Sequence, residues 1–144
     1  MEPTKLIEFL APYPPEVQRV TLAARLRLIE IIGPSSEIFW DATQAVCSGF
    51  CFTHNASDNF INLAVYAKHV TLIFPWGARL EDPEGRLKGE GSRVRNIRLI
   101  DLGLLEDPYV VRLIRDSIAM GKRPETELEP IQIVKVMQGA KRRP

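Results

Sequence analysis

The chain has few cysteines, few histidines and almost no net charge, and each scarcity removes a class of function. Its two cysteines, Cys47 and Cys51, lie four residues apart in a β-type run. On a strand that spacing puts both on one face but ~13 Å apart, outside disulfide reach. They are expected to be free, mostly buried thiols in a reducing compartment. The two histidines, His54 and His69, match no metal-ligand spacing with them. Lysine and arginine number 19 against 18 acidic residues, for a net charge of +1. A phosphate-reading surface normally carries a strong basic excess, so nucleic acid is not an expected partner. No apolar run approaches the ~18 residues of a membrane span. The opening residues, MEPTKLIEFLAPYPP, lack the basic flank and cleavage site of a signal peptide. The expected location is cytoplasmic, with no membrane partner, and Asn55-Ala56-Ser57 is then a chance glycosylation sequon. A P-loop is missing, and so is a glycine fingerprint that opens a helix.

What remains is the composition of a soluble globular domain, 45% apolar and 26% charged. A chain of 144 residues makes about one domain and buries roughly two-thirds of its unfolded surface. Thr4 reads as the cap of a short helix through Leu10, broken by Pro12, Pro14 and Pro15. Pro15 sits where a first-turn proline belongs and opens a helix to about Ile32, closed by Gly33-Pro34. Val17, Val20, Ala24, Leu28 and Ile31 make its apolar stripe, and Arg19, Arg25, Arg27 and Glu30 are expected to face out.

Strand-like runs follow at Glu37–Trp40, Ala45–Thr53, Phe60–Ala67 and His69–Trp76, with a fifth at about Arg95–Asp101. Lys68 falls in a tight connection between two of them. Short gaps between most of these runs predict hairpins and an antiparallel sheet. Asp107-Pro108 starts another helix with a cap and a first-turn proline; Val111, Ile114 and Ile118 are its expected inner stripe and Gly121 its end. The resulting expectation is a single α+β domain. About five antiparallel strands pack against N-terminal and C-terminal helices, over residues 1–124. Residues 125–144 form a C-terminal extension, in which Ile131–Val136 is an edge strand or a docking segment. Phe39, Trp40, Phe50, Phe52, Phe60, Tyr66, Phe74 and Trp76 are too many aromatics for one sheet face. Either the sheet curls around a pocket or its second face is an interface.

The stretch from Gly77 to Ile100 is the most distinctive. It holds four of the nine glycines, and from Arg86 to Arg98 it carries five bases (Arg86, Lys88, Arg93, Arg95, Arg98) against Glu90 alone. Turns between strands and a solvated basic face account for much of this. Glycine-freed N–H groups beside Arg and Lys also make an anion site. The candidate ligand-binding residues are therefore Trp40, Lys88, Gly89, Gly91, Arg93 and Arg95. No catalytic residue stands out, because a buried core thiol accounts for Cys47 and Cys51 more simply than a Cys–His dyad.

The order of a Pro-initiated helix, a Phe-Trp strand, aromatic hairpins, HVTLIFPWGARLEDPEGRLKGEGSRVRNIRL and an Asp-Pro helix resembles the YdhG-like family, a domain of unknown function. The similarity covers roughly Pro15 to Gly121. It is most specific over Gly77-Ala78-Arg79-Leu80-Glu81-Asp82-Pro83, followed by Gly85, Leu87, Gly89 and Gly91. The resemblance implies a sheet packed on helices in a frataxin-like manner. Some members are described as iron chaperones, a role that in a frataxin-like protein rests on clustered surface carboxylates. The weak metal candidates carried over here are Glu81, Asp82 and Glu84, with Asp101, Glu106 and Asp107 farther along the chain. Iron enters as a cofactor only through this resemblance; the residues by themselves imply none. The family usually places Lys after the Gly-x-Gly pair, whereas this chain has Ser92, which passes any ligand role of that lysine to Arg93. The functional expectation is a non-catalytic small-ligand or anion-binding module with its pocket near the glycine-rich loop. The alternatives are a homodimeric interaction protein without a ligand and an intracellular iron-binding chaperone.

Overall fold

Proline opens both long helices. The computed structural model describes residues 1–144. A first helix, α1 (Thr4–Leu10), has Pro3 at its cap position with no side-chain hydrogen bond, so Thr4 begins the helix and does not cap it. The second, α2 (Pro15–Ile32), starts at the expected proline and ends at Gly33. The third, α3 (Pro108–Ala119), is capped by the Asp107 carboxylate, which accepts the Tyr109 N–H at 2.9 Å. No helix is long and apolar enough to cross a membrane.

Six strands form one mixed sheet: β1 (Ser36–Asp41), β2 (Val46–Cys51), β3 (Ile61–Val65), β4 (Val70–Phe74), β5 (Arg95–Arg98) and β6 (Gln132–Val136), in the order β5-β4-β3-β2-β1-β6. The first five are antiparallel neighbours, as the short connections require. The expectation of about five strands falls short by β6, which runs parallel to β1 with Ile133 opposite Ile38. A parallel strand needs a long return, and everything from Asp41 to Gln132 is that return. The segment beyond Pro124 therefore completes this chain's own sheet. Its end is tied down where Lys141 and Arg143 converge on the Asp41 carboxylate, with the Arg143 Nε donating to the Ala42 carbonyl.

All helices pack on one sheet face. Phe39, Val46, Phe50, Ile61, Leu63, Val65, Leu72, Phe74 and Ile97 point inward to meet Leu6, Leu10, Ala24, Leu28, Val110, Leu113 and Ile114. Two helix faces differ from the expected stripes. On α3 the buried positions are Val110, Leu113, Ile114 and Ser117, rotated by about one residue from Val111 and Ile118. On α2 Arg25 is turned inward and buried against Glu37, not outward. The other sheet face carries Trp40, Cys47, Asn62, Ala64, Thr71, Ile73, Asn96 and Arg98, and no helix covers it. Trp40 lies across Gly49, where a Cβ would come within 2.7 Å of the indole.

Candidate functional site

The basic stretch does not hold together as a cluster. Arg86 pairs with Asp107 at 2.9 Å and lies over the Tyr109 ring. Arg95 spends its guanidinium on the Gly91 and Val94 carbonyls, at 2.7 and 2.8 Å. Arg93, with Arg79, stacks on Trp76. Lys88 bridges Asn96 through its backbone. Gly89 has φ +130°, and a Cβ there would sit 2.9 Å from the Val94 carbonyl oxygen; at Gly77 a Cβ would overlap the Arg95 side chain. Close packing on Arg95 thus uses both glycines. Trp40, on β1, lies four strands from β5, about 19 Å across the sheet. Five cavities of about 160–400 Å³ are lined by none of Trp40, Lys88, Gly89, Gly91, Arg93 and Arg95.

The acidic candidates separate as well. Asp82 is a turn organiser: its carboxylate accepts the Arg86 and Leu87 N–H groups at 3.0 and 2.8 Å and the Tyr109 hydroxyl at 2.5 Å. Burial works against its charge, but these three donors outweigh burial and hold its carboxyl below the usual range. Glu81 and Glu84 are exposed. No group of three or more His, Cys, Asp or Glu side chains is placed to hold a metal ion. The donor set that iron would require does not fit these residues. The thiols are also unsuited to chemistry. Cys51 is fully buried, and burial pushes the Cys47 thiol up to about 11.

Three other cations do converge. The β3–β4 hairpin is closed by the Tyr66 N–H donating to the His69 carbonyl, and its tip is Tyr66-Ala67-Lys68-His69. Thr71 on β4 pairs with Arg98 on β5, which carries the Arg98 side chain beside the hairpin tip on the helix-free face. The Arg98 guanidinium donates to His69 Nδ1 at 2.7 Å, and the Tyr66 ring stacks on the imidazole at 5.0 Å between centroids. Arginine can only donate, so His69 Nδ1 is the acceptor and the ring proton is on Nε2. Burial, then the Arg98 charge, lowers the His69 pKa and keeps this imidazole neutral.

Arg142 reaches the same place from the C-terminal segment, whose backbone N–H donates to the Thr43 carbonyl at 2.7 Å. Gln44, Tyr66, Ala67, Lys68, His69, Arg98 and Arg142 line an open groove of about 400 Å³. A second groove of about 370 Å³ lies on the helix side and shares Lys68, His69 and Arg98 as a common wall; Glu16, Val17, Val20, Val70, Leu99 and Ile100 complete it. Lys68, Arg98 and Arg142 take part in none of the nine ion pairs of the molecule. Glu16, the one acid in either groove, is bound by Arg19 through both of its oxygens.

Of the residues singled out in the sequence, Arg98, Lys68 and His69 meet here, although none stood among the candidate ligand-binding residues. The adjacent Lys68-His69 in a four-residue hairpin tip was the available signal. Arg142 had none. No protein-family model, curated protein or solved structure matches the chain.

Proposed function

We propose that the protein is a non-catalytic binding module for a small anionic ligand, with its site at the Lys68–His69–Arg98 wall. The observation that carries this reading is three cations around one groove with no carboxylate to neutralise them. Unpaired Arg and Lys beside a neutral imidazole N–H offer convergent donors to phosphate or carboxylate oxygens. The high thiol pKa of Cys47 and the burial of Cys51 favour binding over nucleophilic catalysis. The glycine-rich stretch Lys88–Arg95 is the rival location for the same function.

Titration with inorganic phosphate, followed by amide chemical shifts, separates the two locations. Shifts centred on residues 66–70 and 97–100, weakened about tenfold by Arg98→Ala, are the expected result. Shifts confined to residues 88–95 would move the site to the glycine loop, and no shifts at millimolar phosphate would remove the anion reading.

A second reading, a homodimer without a ligand, draws on the outer edge of β6. That edge has no partner strand, and Leu128, Ile131, Val134, Val136 and Met137 are all exposed along it. Light scattering on the intact chain and on Val136→Lys tests it: a dimer mass that the variant halves supports this reading, and a monomer mass for the intact chain ends it.

A further inference from the structure

The helix-side groove has a chemistry that inorganic phosphate leaves unused. Val17 and Val20 belong to the apolar stripe of α2 and pack against the core, yet at this end of the helix both remain partly exposed. Opposite them, Val70 and Leu99 form a buried apolar wall, and Ile100 stands 78% exposed at the lip. An isoleucine held in water beside two half-covered valines is apolar surface awaiting cover. Lys68 and Arg98 line the same trough. The only acid on the trough, Glu16, is already engaged by Arg19.

Resting on the anion-binding reading above, we infer that the ligand is an amphiphilic anion, a small molecule with one phosphate or carboxylate head and a flexible apolar chain. Its head lies against Arg98 and Lys68, and its chain lies along Val17, Val20, Leu99 and Ile100. Arg98 donates to His69 on one side and keeps its remaining N–H groups for a head group. The apolar wall supplies affinity through buried methylenes, and the cations fix which end of the chain enters where. A purely polar anion would leave the valines and Ile100 uncovered, and a neutral alkyl chain would leave the cations unanswered.

The test is calorimetric titration of the full chain with inorganic phosphate, then ethyl, hexyl and decyl phosphate, each below its micelle concentration. Affinity is expected to rise about two- to fourfold per added methylene until the trough is filled. Arg98→Ala should weaken every member about tenfold. Val20→Ser should flatten the dependence of affinity on chain length. Equal affinity for phosphate and decyl phosphate would overturn the amphiphile while leaving anion binding intact. Loss of all binding would overturn both. Binding to anionic phosphatidylglycerol vesicles without binding to monomeric decyl phosphate would also overturn it, because it would assign the face to a bilayer surface. A chain-length slope unchanged in Val20→Ser would place the chain outside this trough and refute the assignment.

Discussion

The Arg25 guanidinium on α2 grips the Glu37 carboxylate on β1 through two hydrogen bonds of 2.8 and 2.6 Å, with both side chains buried. The same guanidinium donates to the Met1 carbonyl at 3.2 Å, which ties the N-terminus to the junction of helix and sheet. Breaking such a pair leaves an uncompensated buried charge, so Arg25→Ala or Glu37→Ala should each cost about 3–5 kcal/mol. The double replacement Arg25→Met with Glu37→Leu should recover most of that loss. Urea unfolding of the two single variants and the double variant measures it; losses that simply add in the double variant would show that the pair is not coupled.

Asp82 should matter more for the order of the loop after the short 3-10 turn Gly77–Arg79 than for any ligand. Asp82→Ala removes the acceptor of two backbone N–H groups and of the Tyr109 hydroxyl, an expected loss of about 1–3 kcal/mol. The Arg86 and Leu87 amides should then exchange with solvent faster than in the parent. Because the carboxyl is held below its usual range, its contribution is present near neutrality and is lost as the solution is acidified through its folded pKa. Asp82→Asn should accordingly flatten the acid limb of the stability curve.

His69 acts in the same direction as Asp82 but in a higher pH window. Its folded pKa lies below the ordinary imidazole value of 6.5. Above pH 6.5 it therefore contributes no pH dependence. Below it the unfolded chain takes up a proton more readily than the native one, and stability falls until the folded pKa is passed. The groups that face the ring are Arg98, Lys68, Arg142, Tyr66 and Gln44 from the strand ends and tail, and Glu16 from α2. Thermal melts between pH 7 and pH 5 should show a shallower decline for His69→Gln than for the parent. An unchanged slope would mean that the ring is free of Arg98 in solution.

The thiols should be silent in the native state. With Cys51 fully buried and the Cys47 thiol pushed up to about 11, an aromatic disulfide reagent at pH 8 is expected to react slowly or not at all until denaturant is added. Rapid release of one equivalent from native protein would show that Cys47 is far more accessible and acidic than its packing implies.

Much of the fold was legible because its causes are local. Pro15 and the Asp107-Pro108 pair mark helix starts through missing or capped N–H groups, which needs no knowledge of distant residues. Alternation over Ile61–Val65 and Val70–Phe74 marks strands because a pleated strand has two faces. Helix faces were less legible. An α3 stripe at Val111 or at Val110 satisfies the same periodicity, and only the partners of the helix choose the rotation. The candidate site was legible in part: Lys68-His69 and Arg98 were visible as charges, but the density of bases drew attention to Lys88–Arg95, whose arginines are consumed by carbonyls and aromatic rings.

By itself the sequence determined the helices, the five antiparallel strands and the burial of Cys51, because periodicity, capping and short hairpins act over a few residues; Cys47 is half-buried. Only the tertiary structure decided that Gln132–Val136 returns as a parallel sixth strand beside Ser36–Asp41. It also decided that Arg25 turns inward to Glu37, and that Arg142 lines one groove with Arg98 and Lys68. These are contacts between residues far apart in the chain. The strand pairing and the buried Arg25–Glu37 pair form only once the sheet has closed over its helices, because each needs a partner that the local chain does not supply.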